Sequence, residues 1–361
     1  MKKLFLYIIT ILSTVLILLI FSCNENSDSK NTDVEYENNE TVTEGNWEGC
    51  MVSAYIFQED GRHLPDSSLE MIKEFEQLID HEIGSIMWYP TFSDSFPAEQ
   101  CNKMKMIGVI PHLTWELFFP DSVAYNTMPI EGTYDLFDEV LSGKHNAYIE
   151  QFAKDAKAFD SIVLIRFLHE FNGNWYLWSG NKNGHENGGP EKVVAVWKYV
   201  VDKFREVGAD NVKWIWNPHG PSIDVSEEDW NDIVNYWPGD DYVDWMGMDA
   251  YNWYPKDPWG GDRPFRDFDN CFRNLYDKCS KLGDQPIMIA EFGTPEFNYE
   301  GSTKADWIEE AMNKMQTEYP RIKMFVWFHI NKELDWRLNS SPESLSAFIE
   351  NLQDAYYIGR K

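Results

Sequence analysis

Short apolar runs rich in β-branched and aromatic residues alternate with amphipathic helical stretches about eight times beyond residue 46. The predicted strands are 49–56, 83–89, 107–115, 162–169, 212–217, 243–251, 286–291 and 322–330. Strands separated by helix-length segments run parallel, and eight such units predict one closed (β/α)8 barrel of the TIM type. An open doubly wound sheet is the alternative, but no Gly-x-Gly-x-x-Gly motif follows the first strand.

Six stretches between these runs have helical periodicity. They are 69–80, 147–159, 191–207, 265–282, 305–319 and 344–356. In the third, apolar residues recur at the spacing expected of a helix that covers one face of a sheet. We therefore expect the helices to surround the barrel.

Polar and aromatic residues collect where the predicted strands end, which is the face on which such barrels carry their chemistry. Glu170 follows the fourth strand in the run from Arg166 to Trp175, and Glu291 ends the seventh about 120 residues later. A retaining glycosidase needs one protonated and one ionised carboxyl about 5–5.5 Å apart. The pair predicts glycoside hydrolysis, although a single strand-end glutamate is more often an ion-pair partner or a helix cap.

The neighbours of the two glutamates suit these different tasks. If Glu170 is the acid/base, the aromatic residues that follow it could limit hydration and raise its pKa. If Glu291 is the nucleophile, Tyr251 could donate a hydrogen bond to it. Arg166, four residues before Glu170, could be its positive neighbour.

These residues resemble glycoside hydrolase family 26, whose retaining (β/α)8 enzymes carry the acid/base on strand four and the nucleophile on strand seven. The signature is His169-Glu170 with Asn172-Gly173 and Trp175, and the resemblance extends over roughly residues 47–355. It implies that Glu170 is the acid/base, Glu291 the nucleophile and Tyr251 the partner of the nucleophile. It also implies that His169 contacts the sugar 2-hydroxyl.

Sugar contacts follow from the same resemblance. Trp175 is implied at the cleavage site, and Trp327, at the end of strand eight, as the platform on which the −1 sugar stacks. Other aromatic residues near strand ends are candidate sugar contacts, although core packing is the better interpretation for any unassigned tryptophan. These candidates are Trp88, Trp115, Trp178, Trp216, Trp253 and Trp259, together with His112, His219 and His329.

The segment 111–116 departs from the mannanase pattern. It reads Pro-His-Leu-Thr-Trp-Glu, where many mannanases of the family carry a Ser-Trp-His type segment, and enzymes that cut mixed-linkage β-glucan or β-1,3-xylan look more like it. The family majority implies internal cleavage of β-1,4-mannan. Mixed-linkage β-1,3-1,4-glucan and β-xylan stay open as alternatives, and so does a non-catalytic surface glycan-binding protein.

The N-terminus predicts export. Residues 1–22 contain two lysines and an apolar run that ends at Ser22-Cys23, which resembles the lipobox of bacterial lipoproteins, with Cys23 as the lipidated residue. A plain transmembrane anchor is the alternative, because 18 apolar residues can just span a bilayer. Residues 23–46 are acidic and predict a disordered tether, which leaves 47–361 as the catalytic domain.

Charge and cysteine content limit the partners. With 31 basic and 60 acidic residues, the net charge of −29 disfavours nucleic acid and anionic membranes. We expect the partner to be a neutral polysaccharide and the protein to be a monomer. We expect it to contact the membrane only through a lipid anchor in the outer membrane, at the cell surface. No Cys-x-x-Cys or His-x-x-x-His motif is present, so we expect no metal and no organic cofactor.

Overall fold

Eight parallel strands close into a barrel, as the sequence predicted. They are β1 (Cys50–Tyr55), β2 (Ser85–Trp88), β3 (Ile110–Trp115), β4 (Val163–Phe167), β5 (Val212–Trp216), β6 (Trp245–Tyr251), β7 (Ile287–Gly293) and β8 (Ile322–Phe328). Each strand pairs with the next one in the chain, and β8 pairs with β1 from Met51 opposite Met324 to Tyr55 opposite Phe328. The (β/α)8 architecture is therefore confirmed.

The computed structural model describes residues 48–57, 61–119, 136–222, 225–256, 258 and 261–360. The predicted signal segment, Cys23, the whole acidic tether and Trp259 lie outside these residues. Within the described part of the chain, no helix is both long enough and apolar enough to cross a membrane.

Eight helices lie between or after the strands of the described chain. They are α1 (Ser68–Ile79), α2 (Ala98–Met106), α3 (Leu136–Leu141), α4 (Asn146–Ala158), α5 (Gly189–Val207), α6 (Phe268–Leu282), α7 (Lys304–Thr317) and α8 (Pro342–Leu352). The sequence did not predict α2 or α3. Only Cys101 and Met104 of α2 are buried, so it lacks a wide apolar stripe, and α3 has six residues.

The connection from β5 to β6 has no α-helix in the residues that the structure describes. Short 3₁₀ segments at Asp229–Asn231, Ile233–Tyr236 and Asp240–Tyr242 replace it. A small antiparallel hairpin, Asn298–Tyr299 with Ser302–Thr303, follows β7. Its last residue caps α7, because Thr303 and Asp306 form a reciprocal capping box.

Two apolar cores hold the barrel together. The inner one takes residues from seven strands, which can meet only in the barrel interior: Met51, Ile110, Leu164, Ile215, Trp245, Met288, Ala290 and Met324. The larger core lies between the strands and the surrounding helices. Alternation along each strand divides its side chains between these cores.

The four cysteines of the barrel are buried and free, so none of them forms a disulfide. Cys271 and Cys279 lie on α6, eight residues apart. A helix rises about 1.5 Å per residue, so this spacing exceeds the reach of a disulfide. The stability of the described barrel therefore comes from packing without disulfide cross-links among these four residues.

Candidate active site

Three carboxylates meet at the carboxyl-terminal end of the barrel. Glu170 follows β4, Asp249 lies on β6, and Glu291 lies on β7. One oxygen of each lies within 4.8 Å of the others. Glu170 and Glu291 are each 6% exposed, whereas Asp249 is fully buried. Glu170 and Glu291, which the sequence analysis paired, therefore lie at about the separation that retaining glycosidases use.

A β-bulge directs Glu291 into the site. The pairing of β7 with β6 shifts by one residue between Met248 opposite Ile289 and Asp249 opposite Glu291. Strict alternation would place consecutive residues on opposite sides of a strand. Because the bulge adds a residue, both Ala290, which belongs to the inner core, and Glu291 face the interior.

Backbone strain positions Glu170 in a comparable way. Leu168 and Glu170 adopt φ of +50° and +53°, a region that L-residues rarely occupy. The Glu170 N–H donates to the Asn217 carbonyl over 2.7 Å, which holds this turn against the end of β5. Strain of this kind persists only where surrounding contacts impose it, as at functional sites.

Glu291 accepts hydrogen bonds from three side chains. The Tyr89 hydroxyl donates to Oε1 over 2.6 Å, and the Tyr251 hydroxyl donates to Oε2 over 2.7 Å. The third donor is the Arg166 guanidinium, also to Oε1. Burial by itself would raise the pKa of Glu291. The Arg166 charge and the donated hydrogen bonds outweigh burial, so its pKa is lowered and it is ionised at neutral pH.

Arg166 is the fully buried cation of the site. Its Nη1 donates to Asp249 over 2.8 Å, its Nε donates to Thr114 over 2.9 Å, and its Nη2 bonds Glu291. The predicted positive neighbour of Glu291 is therefore in place. The three carboxylates could in principle hold a cation, but this guanidinium already supplies the positive charge to two of them.

Glu170 has a less polar environment. The Trp175 indole N–H donates to Oε2 over 2.8 Å, while His219 Nε2 lies 3.7 Å from Oε1. Burial raises the pKa of Glu170, and the Glu291 charge adds to that rise, although His219, Arg166 and the Trp175 hydrogen bond partly offset it. The two glutamates thus have opposite pKa shifts, which are those of an acid and a nucleophile.

His169, the residue before Glu170, is held by two hydrogen bonds. Its Nε2 lies 3.0 Å from the Tyr176 hydroxyl, and its carbonyl accepts from the Trp178 indole N–H over 2.7 Å. Burial and the Arg166 charge lower the pKa of His169, so the ring is neutral. Its Nδ1 has no hydrogen-bond partner among the described residues, and its contact with a sugar hydroxyl stays a prediction.

Four predicted substrate contacts are wrong, because their side chains are buried. Trp327 packs between the barrel and its helices, with ring centroids 4.8 Å from Phe292 and 5.7 Å from Phe348. Trp115 stacks at 4.3 Å on Phe152 of α4. Neither ring can offer a face to a sugar. Trp88 and Trp216 are also buried.

Two further predicted contacts, nearer the carboxylates, are buried, and their contact with a sugar stays a prediction. His112 is fully buried, and the described chain offers neither of its ring nitrogens a hydrogen-bond partner. Burial and the Arg166 charge lower its pKa. Trp178 is 2% exposed and stacks at 4.2 Å on Tyr176, so it buttresses the loop that carries Glu170.

Trp175 and Trp253 remain candidates for sugar contacts, because both are only half-buried. Trp253 packs at 5.8 Å against Tyr251 and at 4.8 Å against Trp336. Trp336 follows β8 and, unlike Trp327, packs against both Tyr251 and Trp253. Because Trp336 lies beyond the end of the predicted strand, the sequence analysis did not identify it.

Sequence reasoning also missed two residues of the site. Tyr89 was placed at the end of a predicted strand but given no role. Glu116, one residue beyond β3, is half-buried, and burial raises its pKa to about 8, with Arg166 opposing and Glu291 adding to the rise. The signal for both was their position at a strand end, which alone does not distinguish a cleft residue from a rim residue.

Comparisons with known proteins agree with this geometry. The model of the family described as glycosyl hydrolase family 26 matches residues 101–262. Endoglucanase H of Acetivibrio thermocellus is 35% identical over 281 residues, which is 77% of this chain and 28% of that protein. A mannan endo-1,4-beta-mannosidase of Bacillus subtilis is 33% identical over 254 residues, 66% of this chain and 60% of that protein.

The chain therefore spans less than two thirds of either relative. Among solved structures, the catalytic domain of the Bacillus sp. JAMB-750 GH26 endo-beta-1,4-mannanase superposes with a TM-score of 0.61 at 19% identity, over 86% of this chain and 88% of that one. At that identity the likeness concerns the fold. Together with the glutamate pair of β4 and β7, these matches show that the chain belongs to glycosyl hydrolase family 26 and that its barrel is a glycoside hydrolase domain.

Proposed function

We propose that this protein is an endo-acting, retaining β-glycoside hydrolase that cleaves a neutral polysaccharide by double displacement. One observation carries the proposal. Glu170 and Glu291 place carboxylate oxygens within 4.8 Å of each other, with a raised pKa at the first and a lowered pKa at the second. Water-mediated inversion needs a wider gap of about 6.5–9.5 Å.

In the first step, Glu170 donates its proton to the glycosidic oxygen, the bond between that oxygen and the anomeric carbon breaks, and Glu291 attacks this carbon. A covalent glycosyl ester forms on Glu291. Tyr89, Arg166 and Tyr251 hold the nucleophile ionised and oriented before the attack. The leaving sugar departs as a neutral alcohol.

In the second step, Glu170 is a carboxylate and accepts a proton from water, whose oxygen attacks the anomeric carbon. The ester bond breaks, Glu291 leaves as a carboxylate, and Glu170 regains its proton. Two displacements at the same carbon retain the β configuration. Glu170 gives up and regains one proton in each cycle, while Glu291 forms and breaks an ester bond without being protonated.

The substrate class rests on similarity to relatives and on one sequence segment. The relative named endoglucanase H matches more of this chain than the mannosidase does, 77% against 66%, and segment 111–116 departs from the mannanase pattern. We therefore propose β-glucan as the first substrate to test. β-1,4-Mannan, which the family majority implied, is the second candidate, and mannosidases recur among the relatives.

The decisive experiment measures reducing-sugar release by the protein on mixed-linkage glucan, mannan, galactomannan and β-1,3-xylan. Glu170→Ala and Glu291→Ala should each abolish turnover on whichever polymer is cut. Glu309→Ala, which removes an exposed glutamate of α7, is the matched control and should retain full activity. Release from mannan alone would return the substrate to the family majority. Binding of glycan without turnover by the unaltered protein would establish a glycan-binding protein instead.

We further propose that the protein is exported and anchored to the outer membrane by lipid on Cys23, and that it is a monomer. The sequence pattern around Ser22-Cys23 supports the anchor. Cys23→Ala should shift the protein from the membrane fraction to the soluble fraction and remove the acyl mass from its N-terminal peptide. An unchanged distribution between the two fractions would contradict the anchor. Sedimentation of residues 47–361 tests the monomer.

A further inference from the structure

His219 is one of the titratable side chains that surround the acid/base. It lies in the loop after β5, and its Nε2 is 3.7 Å from Glu170 Oε1. The other carboxylate oxygen, Oε2, already accepts the Trp175 indole N–H. The imidazole therefore faces the carboxylate oxygen that the Trp175 indole does not bond.

The tautomer of His219 follows from its other contact. Nδ1 lies 2.8 Å from the carbonyl oxygen of Gly220. A carbonyl oxygen can only accept a hydrogen bond, so Nδ1 carries a hydrogen in every state of the ring. Nε2 is the nitrogen directed at Glu170.

The loop holds the imidazole in this orientation. Asn172 forms two hydrogen bonds with the backbone of His219: its Nδ2 donates to the His219 carbonyl over 2.9 Å, and its Oδ1 accepts the His219 N–H over 2.8 Å. The ring packs edge-on against Trp175 with centroids 5.1 Å apart. Both residues that fix His219 therefore lie within five positions of Glu170 in the chain.

We propose that His219 is a positioning residue of the acid/base, whose Nε2, 3.7 Å from Glu170 Oε1, favours the ionised form of this carboxyl. This role rests on the proposed function. Protonated His219 lowers the pKa of Glu170 against the larger effect of burial. The imidazole thus keeps the buried carboxyl acidic enough to release its proton to a leaving group and to take one back from water.

Proton balance is preserved over the cycle. The proton that leaves Glu170 for the glycosidic oxygen is replaced by one from the attacking water, so His219 ends each turnover in its initial state. The charged groups on the Glu170 side of the pair are Glu291, Arg166 and Asp249. Beside His219 is a cavity of about 350 Å³, and the charged residues that line it are Glu227, Glu228, Asp229, Asp232 and Lys278.

The test compares the pH dependence of kcat/KM for the unaltered protein and His219→Phe. The phenyl ring preserves the packing on Trp175 but presents neither a charge nor an N–H to Glu170. We expect the alkaline limb, which reports deprotonation of Glu170 in the free enzyme, to move to higher pH by about 0.5 unit or more. On a polysaccharide, kcat should fall at least about tenfold.

An aryl glycoside whose leaving group needs no protonation separates the steps, because the bond-breaking step no longer depends on the proton of Glu170. We expect His219→Phe to slow this substrate less than the polysaccharide. His145→Phe is the matched control, because it removes an imidazole paired at 2.9 Å with Glu139 rather than with a catalytic glutamate. Its alkaline limb should stay where it is.

A uniform loss of activity in His219→Phe, with the alkaline limb unmoved, would overturn the effect of His219 on the ionisation of Glu170 and leave a packing role. If the phenylalanine variant fails to fold, His219→Gln retains an N–H for the Gly220 carbonyl and gives the same comparison. Failure of the proposed function is a separate result, because the unaltered protein would then release no sugar from any of the four polymers.

Discussion

Tyr89→Phe tests how the nucleophile is kept ionised. The change removes one hydroxyl, which donates to Glu291 Oε1 over 2.6 Å, and leaves the ring that packs at 5.1 Å on Tyr55. A hydrogen bond to a charged group is worth about 1.5–3 kcal/mol, and about 1.4 kcal/mol is tenfold in rate. Because Arg166 and Tyr251 still donate to the carboxylate, we take the lower end and expect about a tenfold loss in kcat/KM.

The pH profile carries the sharper readout. The pKa of Glu291 is lowered in the folded protein, and the Tyr89 hydrogen bond is one of the causes. Losing that bond raises the pKa, so a larger share of Glu291 is protonated and inactive at low pH. The acid limb of kcat/KM should therefore move upward by about one unit, the equivalent of about 1.4 kcal/mol.

The assay is initial-rate reducing-sugar release across the pH range on the best polymer. Tyr148→Phe is the control, because its hydroxyl donates to the Asp94 carbonyl over 2.7 Å and to no carboxylate of the site. An acid limb that stays in place in Tyr89→Phe, with kcat/KM within about twofold of the unaltered protein, would refute the assigned role of this hydroxyl.

Three further predictions follow from the same contacts. Arg166→Met should destabilise the fold by about 3–5 kcal/mol, because Asp249 and Glu291 would lose their buried counter-ion; urea unfolding measures this, and a loss below about 1 kcal/mol would contradict it. Trp327→Ala should lower the free energy of unfolding by about 3–5 kcal/mol but leave KM unchanged when measured well below the unfolding temperature. A KM raised severalfold would instead indicate that Trp327 is a sugar platform. Glu116→Gln should match the unaltered protein below pH 8, where Glu116 is protonated, and differ above it; divergence at pH 6 would refute that state.

The lowered pKa of Glu291 also bears on stability. A carboxyl whose pKa is lower in the folded state than in the unfolded state stabilises the fold above its unfolded pKa, and that contribution disappears as the pH falls through the folded value. The raised pKa of Glu170 acts in the opposite sense: it opposes folding where the unfolded carboxyl is ionised. The two glutamates of the site thus respond to acid in opposite directions.

Local pattern was sufficient to predict the barrel and the strand-end side chains that meet at its carboxyl-terminal end. All eight predicted strands exist, because each is a short apolar run that must be buried on both faces in a parallel sheet. Glu170, Glu291 and Tyr251 were found because polar residues directly after such runs are costly unless the strand end is a site. Arg166 was found by its spacing on the same strand.

Only the closed tertiary structure decided which side chains enter the cleft. Trp115 and Trp327 were assigned to sugars from their positions at strand ends, yet both face the helices, since the direction of a side chain depends on strand alternation and pairing. The bulge that turns Glu291 inward arises from the pairing of β7 with its two neighbours. Neither feature is visible in the local sequence.

Long-range contacts account for the residues that the sequence could not assign. Tyr89 donates a hydrogen bond to Glu291, which is 202 residues away in the chain. His219, in the loop after β5, lies beside Glu170, in the loop after β4. The sequence determined the elements, because burial and periodicity are local properties of a chain. The structure alone determined which side chains surround Glu170 and Glu291, because closing eight strands brings together side chains whose separation in sequence carries no information about distance.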